Sequence, residues 1–315
     1  MNKTAEAFAP GAISCFFEIH NTTPDGNLIT DLEQVGARGG GFGLQSGVHT
    51  KVTVEEAGVN SIEVFINSQP TVEARTTENV IQTMLTQISK NYMVIVEHQI
   101  DVPVGMGFGT SAGGALTAAL AFREALTLPL TYNQIGRIAH ISEIQCQTGL
   151  GTVSSLSVGG GLILVTEPGA PGICQTDRIP ISSDYMIVAG FCNSKIPKTV
   201  ISSLERKTQI NRCGKKTLKQ ILAEPTLENF LASCWDFAKN AGFATENVRQ
   251  LVHLAEKAGA VGATQNMIGE AVHAVVPEEN ALSVAEAFKQ VLPNENIITT
   301  KIDFQGARTV KHEEV

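Results

Sequence analysis

Residues 103–116 constrain the chain more than any other stretch: Pro103-Val104-Gly105-Met106-Gly107-Phe108-Gly109-Thr110-Ser111-Ala112-Gly113-Gly114-Ala115-Leu116. An apolar extended run at 93–96 precedes it, and a small-residue run of helical character at 111–126 follows, so the expected order is strand, glycine loop, helix. Glycines at alternate positions (Gly105, Gly107, Gly109) let the backbone turn its N–H groups inward with no Cβ in the way. Those donors converge with the first turn of the helix, where unpaired N–H groups and the positive dipole end favour an anion. Thr110 and Ser111 stand where a hydroxyl caps the helix or reaches a phosphate or a phosphate-bound metal. No lysine follows the loop, so the Walker pattern is not met; neither is the dinucleotide fingerprint with an acidic residue on the next strand. On spacing alone two readings stand, a phosphate cradle and a glycine-rich turn that lets a helix pack closely.

At 315 residues the chain is long enough for two compact domains. Its 43% hydrophobic and 17% charged residues describe a globular chain and not a disordered one. A formal charge of -8 argues against nucleic acid as a partner, since phosphate contacts need clustered Lys and Arg. The densest basic run, Arg206, Lys207, Arg212, Lys215, Lys216 and Lys219, reads as a solvated helix face. No apolar run reaches the roughly 18 to 20 residues that cross a bilayer, and the N-terminus Met-Asn-Lys-Thr-Ala-Glu lacks a signal-peptide core, so no membrane partner and a cytoplasmic setting are expected. Six scattered cysteines (Cys15, Cys146, Cys174, Cys192, Cys213, Cys234) fit free thiols better than disulfides or a zinc site.

Along the chain, 5–20 reads as two strands broken by a turn at Pro10-Gly11. Five glycines surround Arg38 in Gly36-Ala37-Arg38-Gly39-Gly40-Gly41-Phe42-Gly43. Such a run marks a close backbone approach, and the arginine either presents its planar fork to a carboxylate or phosphate or is a surface residue of a hairpin. Residues 51–54 and 61–66 alternate at period two and read as an antiparallel pair, followed by a helix over 76–89. A helix over 131–145 takes Thr131 as its N-cap and carries Glu143 near its end, where a lone glutamate is usually a solvated residue. The composition shifts at Ala170-Pro171-Gly172, which places a domain boundary there, giving units 1–169 and 170–315. In the second unit strands are expected at 185–191, 271–276 and 297–302, and helices near 199–206, 218–223, 226–240, 246–258 and 278–291. A small-residue loop spans 259–269. Helices on one face of a small antiparallel sheet make an α+β sandwich.

The pattern Pro103-x-x-x-Gly107-x-Gly109-Thr110-Ser111-Ala112-Gly113 resembles the phosphate-binding motif of the GHMP kinases, small-molecule kinases for galactose, homoserine, mevalonate and phosphomevalonate. Pro10-Gly11 with Glu18 is similar to the first motif of that family, although Ala12 stands where a long polar residue is usual, and 262–269 falls where the third motif lies. The resemblance implies an α+β, two-domain fold: an N-terminal ribosomal protein S5 domain 2-like α/β unit and a C-terminal ferredoxin-like α+β sandwich. It implies ATP and Mg2+ as cofactors. The triphosphate would be held by Pro103, Gly105, Gly107, Phe108, Gly109, Thr110, Ser111 and Ala112, and the metal by Ser111 and Glu143. Many members carry a catalytic aspartate where this chain has Thr152, a residue whose pKa is too high for a base at neutral pH. The runs Ala-Phe-Ala-Pro-Gly-x-Ile-x-x-Phe-Phe-Glu-Ile, Gly-Ala-Arg-Gly-Gly-Gly-Phe, Thr-Gly-Leu-Gly and Gln-Asn-Met-Ile-Gly-Glu-Ala-Val are similar to those of the archaeal pantoate kinases within the family. Pantoate, as the implied small-molecule partner, carries one carboxylate. Its expected binding residues are Arg38 first, then Lys198 with Thr199 as hydroxyl partner, and Glu18. The alternatives are a kinase for another small alcohol and, on the strength of Thr152 and Ala12, a catalytically silent nucleotide-binding regulator. A homodimer is the default oligomer.

Overall fold

The computed structural model describes residues 2–192 and 203–310. Its N-terminal part is built on one long strand, β1 (Lys3–His20), and not on two strands joined by a turn. Pro10-Gly11 appears instead as a register shift in the pairing of β1 with β2 (Gly36–Glu56), which absorbs the missing proline N–H without ending the strand. Next come β3 (Ser61–Ile66), β4 (Gln69–Pro70), α1 (Arg75–Leu85), β5 (Tyr92–Ile100), α2 (Thr110–Leu126), α3 (Tyr132–Gln145), α4 (Thr152–Ser157), β6 (Leu162–Glu167) and β7 (Gln175–Ile179). The antiparallel pair expected of 51–54 and 61–66 does not form. β5 lies between β2 and β3, antiparallel to the first and parallel to the second. The reason is topological: parallel strands need a crossover, and α1 supplies it between β3 and β5.

α2 is apolar nearly all round because it is covered nearly all round. Ala112, Ala115, Leu116, Ala118, Ala119, Leu120, Ala121 and Phe122 are buried in one cluster with Ala7, Ala9 and Ala12 of β1 and Val52 of β2. Its small residues set the closeness of approach: a Cβ at Gly113 would lie 3.0 Å from Val48 Cγ2.

The second sheet comprises β8 (Tyr185–Phe191), β9 (Gly262–Gln265), β10 (Ala271–Pro277) and β11 (Ile297–Lys301), with α5 (Leu204–Ala223), α6 (Leu227–Asn240), α7 (Glu246–Lys257) and α8 (Ala281–Phe288). Its order β11-β8-β10-β9, with helices between β8 and β9 and between β10 and β11, is the β-α-β-β-α-β arrangement of a ferredoxin-like α+β sandwich. Residues 259–269 are therefore not all loop, since β9 lies within them. The helix expected over 278–291 shortens to α8 plus a 3-10 turn at Glu278–Asn280. The stretch 204–223 is one helix, whose Arg212, Lys215, Lys216 and Lys219 are exposed.

The large sheet does not stop at residue 169. β7 pairs with β6, and β12 (Arg308–Val310) returns from the end of the chain to pair with β1. The two sheets are joined by an aromatic seam, with Phe16 of β1 and Phe42 of β2 edge-on to Phe230 of α6, at 6.2 and 5.7 Å between ring centroids. Among the described residues no helix is long and apolar enough to cross a membrane, and all six cysteines are free thiols.

Candidate active site

α2 begins at Gly109, which caps the helix in the left-handed region (φ 64°) with no side-chain hydrogen bond to the first turn. The expected hydroxyl cap from Thr110 or Ser111 is therefore absent. Ser111 turns the other way, and its Oγ donates to Glu143 Oε1 at 2.5 Å. Thr148 Oγ1 donates to the same carboxylate oxygen at 2.6 Å. Thr76 of α1 lies 3.0 Å from Thr148 Oγ1, and since Thr148 spends its one proton on the carboxylate, Thr76 is the donor there.

Glu143 lies in the last turn of α3 yet is only 3% exposed, so it is not the solvated helix-end residue that spacing alone suggests. Its second oxygen is covered by backbone: a Cβ at Gly149 would come 2.1 Å from Glu143 Oε2. Thr76 was not singled out from the sequence, and Thr148 and Gly149 only as part of the Thr-Gly-Leu-Gly run, with no role at Glu143. The one local signal was the Thr148-Gly149 pair, which follows the helix end and whose Thr148 N–H donates to Glu143 O at 2.9 Å.

Ser111 Oγ and the Glu143 carboxylate are hard oxygen donors, the class Mg2+ takes, and a magnesium site built on one carboxylate normally completes its shell with phosphate oxygens and waters. Among the described residues no three His, Cys, Asp or Glu side chains gather into an all-protein metal site. The donor set thus fits Mg2+ held jointly with a phosphate ligand.

The loop itself has one open side and one closed side. A Cβ at Gly105 (φ 83°) would meet nothing within 4 Å, whereas one at Gly107 (φ 80°) would lie 3.0 Å from Asn266 Cβ and 3.2 Å from Met267 O. A Cβ at Gly269 would lie 2.6 Å from Met106 O, so the turn after β9 closes directly on the loop from the second domain. Phe108 is 1% exposed and edge-on to Phe191, which makes its side chain the loop's anchor in the core. Pro103 and Ala112 flank the loop, Pro103 half-buried and Ala112 buried beneath the first turn of α2.

Thr152 opens α4 and joins the loop to the glycine-rich strand. A Cβ at Gly109 would lie 3.0 Å from Thr152 Cγ2 and 2.8 Å from Ala12 Cβ, and a Cβ at Gly151 would lie 3.2 Å from Ala37 Cβ. Ala12 N donates to Phe108 O at 2.9 Å, tying β1 to the loop at the position where a long polar residue was expected. Arg38, next to Ala37, pairs across the strands with Glu18. Each nitrogen of its guanidinium has a partner: Nη1 lies 3.4 Å from Glu18 Oε2, Nη2 donates to Glu167 Oε2 at 2.8 Å, and Nε donates to Thr166 O at 3.0 Å. The hydrogen bond to Glu167, against a smaller opposing effect of burial, raises the pKa of Arg38 above its ordinary value. Glu167 is a further residue that sequence reasoning did not pick out. Lys198 and Thr199 lie outside the described residues.

Comparison with known proteins places these features in a family. A family model described as the GHMP kinases N terminal domain matches residues 75–164, from α1 to β6. The chain is 32% identical over 281 residues to the pantoate kinase of Methanocaldococcus jannaschii, covering 88% of this chain and 96% of that one. It is 27% identical over 297 residues to the pantoate kinase of Thermococcus kodakarensis, covering 92% of each. A solved structure described as a phosphotransferase related to the CoA biosynthesis pathway superposes with a TM-score of 0.83 at 25% identity, over 98% of this chain and 99% of that one.

Proposed function

The chain belongs to the GHMP kinases, and on that premise we propose that it is a pantoate kinase, transferring the γ-phosphoryl group of ATP to the primary hydroxyl of (R)-pantoate to give 4-phosphopantoate, in the cytoplasm and on the route to coenzyme A. One observation carries the phosphoryl-transfer chemistry: the 2.5 Å contact of Ser111 with the buried Glu143 at the uncapped N-terminus of α2. The choice of acceptor rests on likeness to pantoate kinases along nearly the whole chain.

Each residue then has a physical task. The N–H groups of the loop and of the first turn of α2 hold the triphosphate through unpaired donors and the helix dipole. Ser111 and Glu143 hold Mg2+, which when bound neutralises charge on the phosphate oxygens. Thr76 and Thr148 orient the Glu143 carboxylate. Thr152 lines the space between the loop and β2. It is no base, and none is required, because phosphoryl transfer passes through a loose transition state in which positioning and charge neutralisation supply most of the rate.

Arg38 is the cation for the pantoate carboxylate, with Glu18 holding it in place. A fork-on-fork pair with the substrate carboxylate takes two parallel N–H groups, so one resident carboxylate gives way to it. Glu167 makes the shorter contact, at 2.8 Å, but its side chain is 50% exposed against 17% for Glu18, so it is the partner open to water and the one exchanged for substrate.

The test is ADP release by the purified protein with ATP and Mg2+, offered (R)-pantoate, mevalonate and homoserine in parallel. Turnover with pantoate alone is expected. Turnover with another alcohol instead would discard the acceptor while leaving the loop, and nucleotide binding without product from any of the three would favour a regulator.

A further inference from the structure

A buried polar chain runs behind the corner formed by Ser111 and Glu143, and phosphoryl transfer itself has no use for it. α1 opens after Ala74, which makes no side-chain hydrogen bond to the first turn, and alanine is a poor cap. That turn is held from outside instead. Of its two buried threonines, Thr76 meets Thr148 at 3.0 Å, and Thr77 Oγ1 lies 2.9 Å from Nε2 of the buried His98 on β5. His98 Nδ1 lies 2.7 Å from Thr50 Oγ1 of β2, Thr50 lies 2.5 Å from Thr117 Oγ1 of α2, and Thr117 donates to Gly113 O at 2.8 Å.

The last of these bonds orders the others, because a hydroxyl has one proton to give. Thr117 gives its proton to the Gly113 carbonyl, so Thr50 donates to Thr117 and accepts from His98, whose Nδ1 therefore carries a proton. Burial pushes the pKa of His98 down to about 4, so at pH 7 the ring is neutral and its Nε2 is a bare acceptor for Thr77. The bonds thus run in one direction, from the first turn of α1 through β5 and β2 to α2 two residues beyond Ser111. A buried network ordered in this way holds its members more firmly than its separate bonds would. The imidazole also lies against α2, where a Cβ at Gly114 would be 3.5 Å from His98 Cε1.

What this chain fixes is the neighbour of Thr77. Thr76 Oγ1 lies 3.5 Å from Ser111 Oγ and donates to Thr148, which donates to Glu143 Oε1. Consecutive residues of one helical turn move together, so anchoring Thr77 sets the distance of Thr76 from both. We infer that His98 is a positioning residue for this corner: by tying Thr77 to β5 and α2 it places the Thr76 hydroxyl and, through Thr148, orients the Glu143 carboxylate. This rests on the reading of Ser111 and Glu143 as the residues that hold Mg2+.

The test is calorimetric binding of a non-hydrolysable ATP analogue to the full chain, once as its Mg2+ complex and once metal-free with a chelator. The readout is the factor by which Mg2+ tightens binding, which a loss of general stability would not move. Glu143→Gln is expected to abolish that factor. In His98→Leu and in Thr77→Val it is expected to fall about threefold, less than the tenfold or more of a direct partner of a metal ligand, with binding of the metal-free analogue unchanged. The double variant should fall no further than either single one, because both break the same chain. His98→Gln, whose amide offers one acceptor and one donor, should recover most of the factor, and Thr77→Val decides the matter if no His98 variant folds. An undiminished factor in both single variants, beside its loss in Glu143→Gln, would overturn the role of His98 and leave the metal corner intact; so would equal weakening of both forms of the analogue. No tightening by Mg2+ in the wild type, or full tightening in Glu143→Gln, would overturn the metal corner and the role of His98 with it.

Discussion

Around Glu143 a buried carboxylate is met by neutral hydroxyls, Ser111 at 2.5 Å and Thr148 at 2.6 Å, while around Arg38 a guanidinium is met by two carboxylates, one of them half exposed. The donor side of the site thus presents a buried carboxylate and hydroxyl oxygens, and the acceptor side a cation already supplied with anions. Carboxylate and hydroxyl oxygens brought together are hard donors, which suits a site completed by a metal. An Arg–Glu pair at a surface is worth little and exchanges readily, which suits a site where a substrate carboxylate replaces a resident one. One side is built to wait, the other to swap.

The sharpest way to break this contrast is Glu143→Gln. It preserves shape and removes the charge, so kcat is expected to fall by about 10²-fold or more, a loss on the scale of removing a preorganised electrostatic group, with the fold retained by circular dichroism. Activity within threefold of wild type would end the assignment of Glu143 as a metal residue.

The donor side should also be the acid-sensitive one. Behind α2, His98 of β5 lies with Nδ1 2.7 Å from Thr50 and Nε2 2.9 Å from Thr77, and burial pushes its pKa down to about 4. The unfolded chain therefore takes up a proton between about pH 6.5 and 4 that the folded chain refuses. The stability contributed by the neutral imidazole is complete above about pH 6.5 and lost as the pH falls to about 4, on the order of 3 kcal/mol in all. Urea midpoints measured at pH 7 and at pH 4.5 check this: His98→Leu should lower the midpoint at pH 7 yet shrink the drop between the two. A drop of the same size in the variant would assign the acid sensitivity to other groups.

On the acceptor side, Arg38→Ala is expected to raise the pantoate KM about tenfold with little change in the ATP KM, as one charge-assisted pair is lost. Glu167→Gln should move the same constant in the opposite direction, by about twofold, because it removes the competitor for the guanidinium. Identical pantoate kinetics in wild type and Arg38→Ala would take Arg38 out of the site. The smallest effect belongs to Thr152→Ala, for which kcat should fall about threefold at unchanged pH profile; loss of a basic-limb pKa in that profile would show that Thr152 does take part in proton transfer.

How much of this was legible beforehand follows the range of each interaction. Thr131 as N-cap of α3 was readable, and the structure adds the reciprocal bond of a capping box with Gln134, because both partners lie within one turn. The glycine loop was readable because positive φ at Gly105, Gly107 and Gly109 leaves its mark in residue type. Glu143 was marked only through family resemblance, since a glutamate near a helix end looks the same whether it faces water or Ser111. Glu167 carried no mark at all: β6 brings it to Arg38 from 129 positions along the chain. The placing of β3 beside β5, and the return of β12 to β1, were likewise invisible, because period-two alternation says that a strand has two faces and nothing about which strand lies at its edge.

By itself, then, the sequence determined what local chemistry can write into residue types: a strand, a left-handed glycine turn and a helix with bare N–H groups at its start. Hydrophobic periods and turn residues also indicated the α+β sandwich of the second unit, while the two-domain fold as a whole followed from family resemblance. Only the tertiary structure decided that Ser111 turns away from capping its own helix toward Glu143, that Thr76 and Thr148 complete that corner, that Arg38 is held between Glu18 and Glu167, and that the turn carrying Asn266 closes on Gly107. The physical reason is the same in each case: these contacts join residues on different secondary-structure elements, and their geometry exists only once packing has set the distances between those elements.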